Sequence, residues 1–444
     1  MRAWTLVARS LSVLAGVGTV LAVAAAAEAL GLPGWWAGLA LSVAPLHCLL
    51  CRYGTVDPTL TFMVSLTLLL TALACRIRSV RMYAAAGAAA GLAASTKYVG
   101  ALVLLLPLLT AALDRNLSLP RRSAAAFWSA VAATAAFFLT SPFVLLSWSE
   151  AQRDILFEIQ HMRAGEYPAF AAEPSGLWFH AKWLLVGTTC VAVLGAVGLV
   201  AGLHRGSPAQ WSIVAVAAMW FCTIAAARVR YARYELPLLP FIAIGAASAA
   251  TLLGRRARQL LAAFCIAAGI HSALISASMC LPDARDQALA FILNHASEGD
   301  TVGLVWEPWF QSPPLDYCNG GEVLRRAPLW RMFSAPRRRI VVVGSDARAL
   351  ERTRPAWLVI SDVELRDLLR ARDPRAILFA ETVRRLYEPV AEWNRRAPPA
   401  LVPASLAPPH DWLYPAMRLT VYRLRADAPA QVEHRPKRRL ESPE

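Results

Sequence analysis

The residues of this 444-residue chain whose types could do chemistry are few, and they gather at the ends of apolar runs. Asp57 stands in Arg52-Tyr53-Gly54-Thr55-Val56-Asp57-Pro58, directly ahead of an apolar run over 58–75. A carboxylate there can hold a metal ion or organise a phosphate site. Pro58 suits a first helical turn, so Asp57 equally fits a helix N-cap. Lys97, one of three lysines, follows Ser95-Thr96 at a polar break between the runs 83–95 and 98–113. A cation at such a break suits a lipid phosphate, or else snorkels to the headgroups. Arg228, Arg230 and Arg233 alternate with Tyr231 and Tyr234 just before another run. Forked guanidinium donors match phosphate oxygens, whether of one bound lipid or of anionic headgroups in general. His161, with Glu158 and Glu166, can form a metal or acid/base group, or be an ordinary histidine of a surface helix.

The elements that must position these residues are apolar. The chain is 57% hydrophobic, with a mean hydropathy of +0.43. Only 9 of the 30 acidic residues lie in 1–282, and the other 21 lie in 283–444. Charge is expensive in hydrocarbon, so the acid-poor part reads as membrane-embedded and the remainder as a domain in water. Apolar runs recur at 5–31, 35–50, 58–75, 83–95, 98–113, 123–142, 183–204, 211–227, 235–253 and 259–279, which predicts about ten spanning helices. The segment 143–182 is too long for a simple connector. Within it, Ser149–His161 has the spacing of an amphipathic helix lying in the membrane interface.

Net charge is +15 and 42 of the 45 basic residues are arginine. Many lie in short loops between apolar runs, where they act as topology signals, so nucleic acid is not the expected partner. Arg76, Arg78 and Arg81, then Arg115, Arg121 and Arg122, then Arg205, then Arg255, Arg256 and Arg258 fall on one side if ten runs alternate. That side is the cytoplasmic one by charge density. Asp57, Lys97, 143–182, Arg228–Arg233 and 283–444 are then expected outside. An even number of spans would also put the N-terminus outside, an awkward place for a chain starting Met1-Arg2, which an additional helix would repair.

Residues 283–426 alternate helix and strand, predicting a small α/β domain. Helices are expected over Asp283–His295 and Val363–Arg372, and strands over Thr301–Trp306, Arg339–Val343, Trp357–Ile360 and Met417–Tyr422. The stretch 427–444, with Pro-Lys-Arg-Arg near its end, reads as a disordered tail. Cys48 and Cys51 form an isolated C-x-x-C at a helix end, a poor zinc or redox site. Cys280 and Cys318 can pair if the domain is extracytoplasmic.

Four stretches in this order, Tyr53–Phe62 (YGTVDPTLTF), Ala89–Leu106, Thr140–Gly165 and Arg230–Ile242 (RYARYELPLLPFI), resemble the GT-C-fold glycosyltransferases of the protein-O-mannosyltransferase-like superfamily, which includes the lipid A aminoarabinose transferases. In the C-terminal region Asp283–Val305 and Ile360–Leu369 extend the resemblance. It implies a multi-pass protein of the bacterial inner membrane, with residues 1–282 as the GT-C-like domain and 283–426 extracytoplasmic. Its donor would be a polyprenyl-phosphate-linked sugar, its surroundings membrane lipid, and its acceptor unspecified. The resemblance further implies a supporting catalytic role for Asp57, substrate binding by Tyr53, Lys97, Arg228, Arg230 and Arg233, and a metal contact at His161, with a divalent metal as the conceivable cofactor. Val7–Leu32 resembles the family's second helix, so the chain is expected to lack the first outer loop and its catalytic acid. A non-catalytic relative that binds lipid-linked sugar is therefore the alternative. A transporter is a weaker one, because the sequence has no internal repeat.

Overall fold

The computed structural model describes residues 2–165, 170, 175–205, 207–297, 299–315, 339–394 and 408–428. Glu166, Cys318 and the tail beyond 428 lie outside the described residues, and with them the third member of the His161 group and the Cys280–Cys318 pairing. The chain divides into two compact units. One comprises Met1–Cys280 with Arg396–Leu413, the other Leu281–Arg395 with Tyr414–Glu444. The domain expected over 283–426 is interrupted: residues 408–413 group with the first unit.

The first unit is helical and apolar, and the chain is a multi-pass membrane protein. Among the described residues six spans are long and apolar enough to cross a membrane: Leu6–Ala29, Asp57–Ile77, Leu119–Thr140, Pro208–Ala226, Ala232–Leu252 and Gly254–His295, the last made of the helix Gly254–Met279 followed by Ala284–His295. A seventh results if Gly176–Gly187 and Val191–Gly202, bent by 107° at their junction, make one span. Of the ten expected spans, six or seven are by themselves long and apolar enough among the described residues. The run at 35–50 is split into Gly34–Ser42 and Pro45–Leu50, because Pro45 has no N–H with which to continue the first helix. Val80–Thr96 has 17 residues, and the next run opens with a 3-10 helix over Tyr98–Leu104. Both fall short of the ~20 residues a helical crossing needs.

Small residues let these helices approach closely. A Cβ at Gly87 or Gly91 would strike the backbone of Ser129 or Ala133, and Gly195, Gly198 and Gly245 seat helices Val191–Gly202 and Leu239–Leu252 against each other in the same way. Where apolar side chains gain nothing by leaving lipid, such backbone contact is a main source of association.

The second unit holds a five-stranded sheet, β1 (Thr301–Leu304), β2 (Arg339–Val342), β3 (Trp357–Ser361), β4 (Tyr387–Asn394) and β5 (Arg418–Leu424), in the order β2-β1-β3-β5-β4. β1, β2 and β3 run parallel, with Val302 opposite both Ile340 and Trp357. β5 is antiparallel to β3 and to β4. Every residue of β3, Trp-Leu-Val-Ile-Ser, is buried, as a central strand covered on both faces requires. After β3 a capping box closes helix Asp362–Arg370: Ser361 caps the helix and the Glu364 carboxylate accepts from the Ser361 and Trp306 N–H groups at 2.8 and 3.2 Å.

Two expectations follow. Gly245→Leu should force apart two helices whose backbones touch and cost about 3 kcal/mol, seen as a lower unfolding temperature of the detergent-solubilised chain; an unchanged temperature contradicts the packing. Burial pushes the Glu364 carboxyl up to about 7. The folded state therefore holds this proton more tightly than the unfolded chain does. Its contribution favours folding below about pH 4.5 and declines as pH rises to about 7, by up to about 3 kcal/mol. Hydrogen-exchange protection of β1 and β3 should fall over that window and flatten in Glu364→Gln; an equal slope in both contradicts the assignment.

Candidate functional site

The residues singled out by type converge in the first unit. Asp57 opens helix Asp57–Ile77, but its side chain does not cap it. It pairs with Lys97, whose Nζ lies 3.1 Å from Asp57 Oδ1. Arg233 Nε lies 4.0 Å from the other oxygen, Oδ2. The capping alternative drawn from local sequence thus gives way to a tertiary pairing over 40 residues of chain. The carboxylate is 5% exposed, whereas the side chains of Lys97 and Arg233 retain 31% and 26%. One buried anion therefore lies beside two partly accessible cations.

Each cation is set by its local fold. Lys97 ends helix Val80–Thr96 in an extended conformation, φ −159° and ψ 130°, before the 3-10 helix begins. The chain breaks there because Gly100 donates back to the Lys97 carbonyl at 2.7 Å, tightening the following turn. Arg233 belongs to the 3-10 helix Ala232–Leu238, which leads into Leu239–Leu252. The Lys97 ammonium sits 4.6 Å from the Tyr234 ring centroid, and the Arg233 guanidinium 4.1 Å from that of Tyr231. Aromatic faces at these distances attract cations and limit their side-chain freedom.

The other predicted residues take different places. Arg230 donates through Nη1 to the Phe170 carbonyl at 3.1 Å. Arg228 is exposed, and its N–H donates to the Met162 carbonyl at 2.9 Å, fixing the end of the helix Trp148–Ala164. Tyr53 donates to the Asp411 carbonyl at 3.4 Å. His161 stacks on Phe157 in Trp148–Ala164, a helix without a buried residue. Among the described residues no group of three His, Cys, Asp or Glu could hold a metal ion; Glu166, expected beside His161, lies outside them.

Two features escaped the sequence reading. His180 Nδ1 and Glu235 Oε1 form a fully buried pair at 3.1 Å, two residues after Arg233. The Asp411 carboxylate accepts from the N–H groups of Ala232 and Arg233 at 3.2 and 2.7 Å. The adjacency of Glu235 to the Arg-Tyr stretch was the only hint of the first; nothing local marks Asp411.

Residues 4–148, a stretch containing Asp57 and Lys97, match the family model described as dolichyl-phosphate-mannose-protein mannosyltransferase. No curated protein sequence matches the chain. Among solved structures it is similar to the arabinofuranosyltransferase AftD from Mycobacteria, at 17% identity and TM-score 0.41, over 95% of this chain and 33% of that one. The chain thus spans about a third of the length of AftD. It is similar also to ArnT from Cupriavidus metallidurans, apo (16% identity, TM-score 0.47) and bound to undecaprenyl phosphate (15%, 0.46), in both cases over 94% of this chain and 83% of that one. At these identities and scores the likeness alone assigns neither fold nor activity.

The ion cluster makes a direct prediction. In a double-mutant cycle of Asp57→Asn and Lys97→Met, read by thermal unfolding in detergent, the coupling should be about 1–3 kcal/mol. Strict additivity would mean that the pair contributes nothing. The family match over residues 4–148 takes in two of the stretches that carry the resemblance, Tyr53–Phe62 and Ala89–Leu106.

Proposed function

We propose that the chain is an integral-membrane glycosyltransferase that moves a sugar from a polyprenyl-phosphate-linked donor to an acceptor on the extracytoplasmic face of the bacterial inner membrane. The observation that carries this reading is the cluster itself: Lys97 and Arg233, partly accessible, held side by side over the buried Asp57. Lys97 and Arg233 present two cationic side chains, both partly accessible, at the ends of apolar helices. That suits a phosphate whose tail lies in lipid and whose charge needs a partner. The family match over the stretch that contributes Asp57 and Lys97 supports the same class of donor.

In such a transfer the acceptor hydroxyl oxygen forms the new bond at the anomeric carbon as the bond to the lipid phosphate breaks. The bonding pair leaves with the polyprenyl phosphate, and the hydroxyl proton passes to a base. Lys97 and Arg233 meet the negative charge that grows on the leaving phosphate, which lowers the barrier to the extent that they stabilise the transition state more than the bound donor. Asp57 keeps the two cations together against their mutual repulsion. Arg228 and Arg230, just before Arg233 in the chain, would add to the donors for the same phosphate, and residues 283–426 would be extracytoplasmic.

A second reading, a non-catalytic relative that binds lipid-linked sugar, is favoured by one observation: the carboxylate of the cluster is itself engaged by two cations. The two readings separate in one series. The full chain in nanodiscs should bind undecaprenyl phosphate, with Lys97→Ala weakening the affinity about 10-fold, or about 1.4 kcal/mol. In proteoliposomes it should transfer sugar from a polyprenyl-phosphate-linked donor, and Asp57→Asn should lower that rate at least about 10-fold. Binding without transfer supports the second reading. Equal transfer by Asp57→Asn removes the role given to Asp57, and absence of binding by the wild type contradicts both readings.

A further inference from the structure

Arg233 is held at two ends. Its guanidinium faces Asp57, and its backbone N–H, with that of Ala232, donates to the carboxylate of Asp411 at 2.7 and 3.2 Å. These two amides begin the 3-10 helix Ala232–Leu238, where backbone donors lack partners within the helix. The residue in the N-cap position, Tyr231, provides no side-chain cap. The cap comes instead from 178 residues further along the chain.

The segment around Asp411 is built into the first unit. Asp411 is 1% exposed and Trp412 2%. The Trp412 ring lies 6.0 Å from that of Trp183 and 6.4 Å from that of His271, and the His410 ring lies 6.4 Å from that of Tyr231. Tyr53 donates to the Asp411 carbonyl. Burying a carboxylate is costly unless its oxygens are hydrogen-bonded, and here two amides accept that task. Burial raises the Asp411 carboxyl, while the Arg233 guanidinium and the two amides pull it back down.

We infer that the segment 408–413 is a strap that completes the cation cluster, and that Asp411 is the positioning residue that fixes Arg233 beside Asp57 for phosphate binding. The inference rests on the reading of Arg233 as a phosphate-binding residue. Asp411 touches no substrate in this scheme; it acts by clamping the first turn of the helix that carries Arg233. Loss of the clamp lets the backbone at 232–233 swing, and the guanidinium no longer meets the phosphate in register with Lys97.

The test uses the full chain in nanodiscs with undecaprenyl phosphate as the probe. It compares Asp411→Ala, Asp411→Asn, Arg233→Ala and the Arg233→Ala/Asp411→Ala pair. Hydrogen exchange at the amides of 232 and 233 should speed up at least about 10-fold in Asp411→Ala. Undecaprenyl phosphate affinity should drop about 10-fold in Asp411→Ala and about 3-fold in Asp411→Asn, which keeps one acceptor oxygen. Adding Asp411→Ala to Arg233→Ala should weaken binding no further, a non-additivity that a general loss of stability would not produce. If Asp411→Ala does not fold, Asp411→Asn alone carries the comparison. Wild-type affinity in a folded Asp411 variant, or losses that multiply in the double variant, overturns the strap. A wild type that binds no undecaprenyl phosphate overturns the phosphate reading on which the strap rests, and is told apart because every variant is then equally silent.

Discussion

The pairing of Asp57 with Lys97, and the approach of Arg233 to the same carboxylate, is the interaction around which the membrane unit is organised. Cations at the ends of apolar helices repel one another and lose hydration, so two of them stay close only over a shared anion. The three residues come from three separate stretches: the start of Asp57–Ile77, the break after Val80–Thr96, and the 3-10 helix Ala232–Leu238. Bringing them together fixes how those stretches pack. The close approaches of Gly87 and Gly91 to the helix Leu119–Thr140 hold in place the helix Val80–Thr96 that ends at Lys97. Position and charge are thereby linked: helix packing sets where the cations stand, and the buried carboxylate sets how closely they can approach.

Much of this was legible before any coordinates, because the signals are local. Lys97 stands out as a rare lysine in a polar break, and the structure shows the break as an extended residue between two helices. In the Arg-Tyr alternation at 228–234, Arg233 lies against the rings of Tyr231 and Tyr234. Asp57 was ambiguous for a physical reason: an acidic residue before proline satisfies a helix start whether or not a distant cation claims its side chain. Asp411 was invisible. Its partners lie 178 and 179 residues away and are backbone amides, which carry no sequence signal. His180 and Glu235, 55 residues apart, are hidden similarly, since nothing in the sequence around either one points to the other.

Element lengths show the same division. The ten apolar runs mark where helix occurs, yet crossing a membrane takes length as well as apolarity. Pro45 divides one run and the 3-10 helix after Lys97 weakens another. In the second unit the expected strand at 357–360 is the buried centre of the sheet, where continuous apolar composition is unambiguous. The strand Tyr387–Asn394 gave no comparable signal. It is an edge strand with Pro389, two glutamates and mostly accessible residues, a pattern that edges adopt to avoid pairing with other chains.

The central claim is that Lys97 and Arg233, over Asp57, form the seat of a lipid phosphate. Its most direct test is a structure of the full chain in nanodiscs saturated with undecaprenyl phosphate. The account predicts the phosphate oxygens within about 3 Å of both the Lys97 ammonium and the Arg233 guanidinium, the range of charge-assisted hydrogen bonds, with the Asp57 pairing retained beneath. A phosphate bound elsewhere, with the three side chains unchanged, would contradict it.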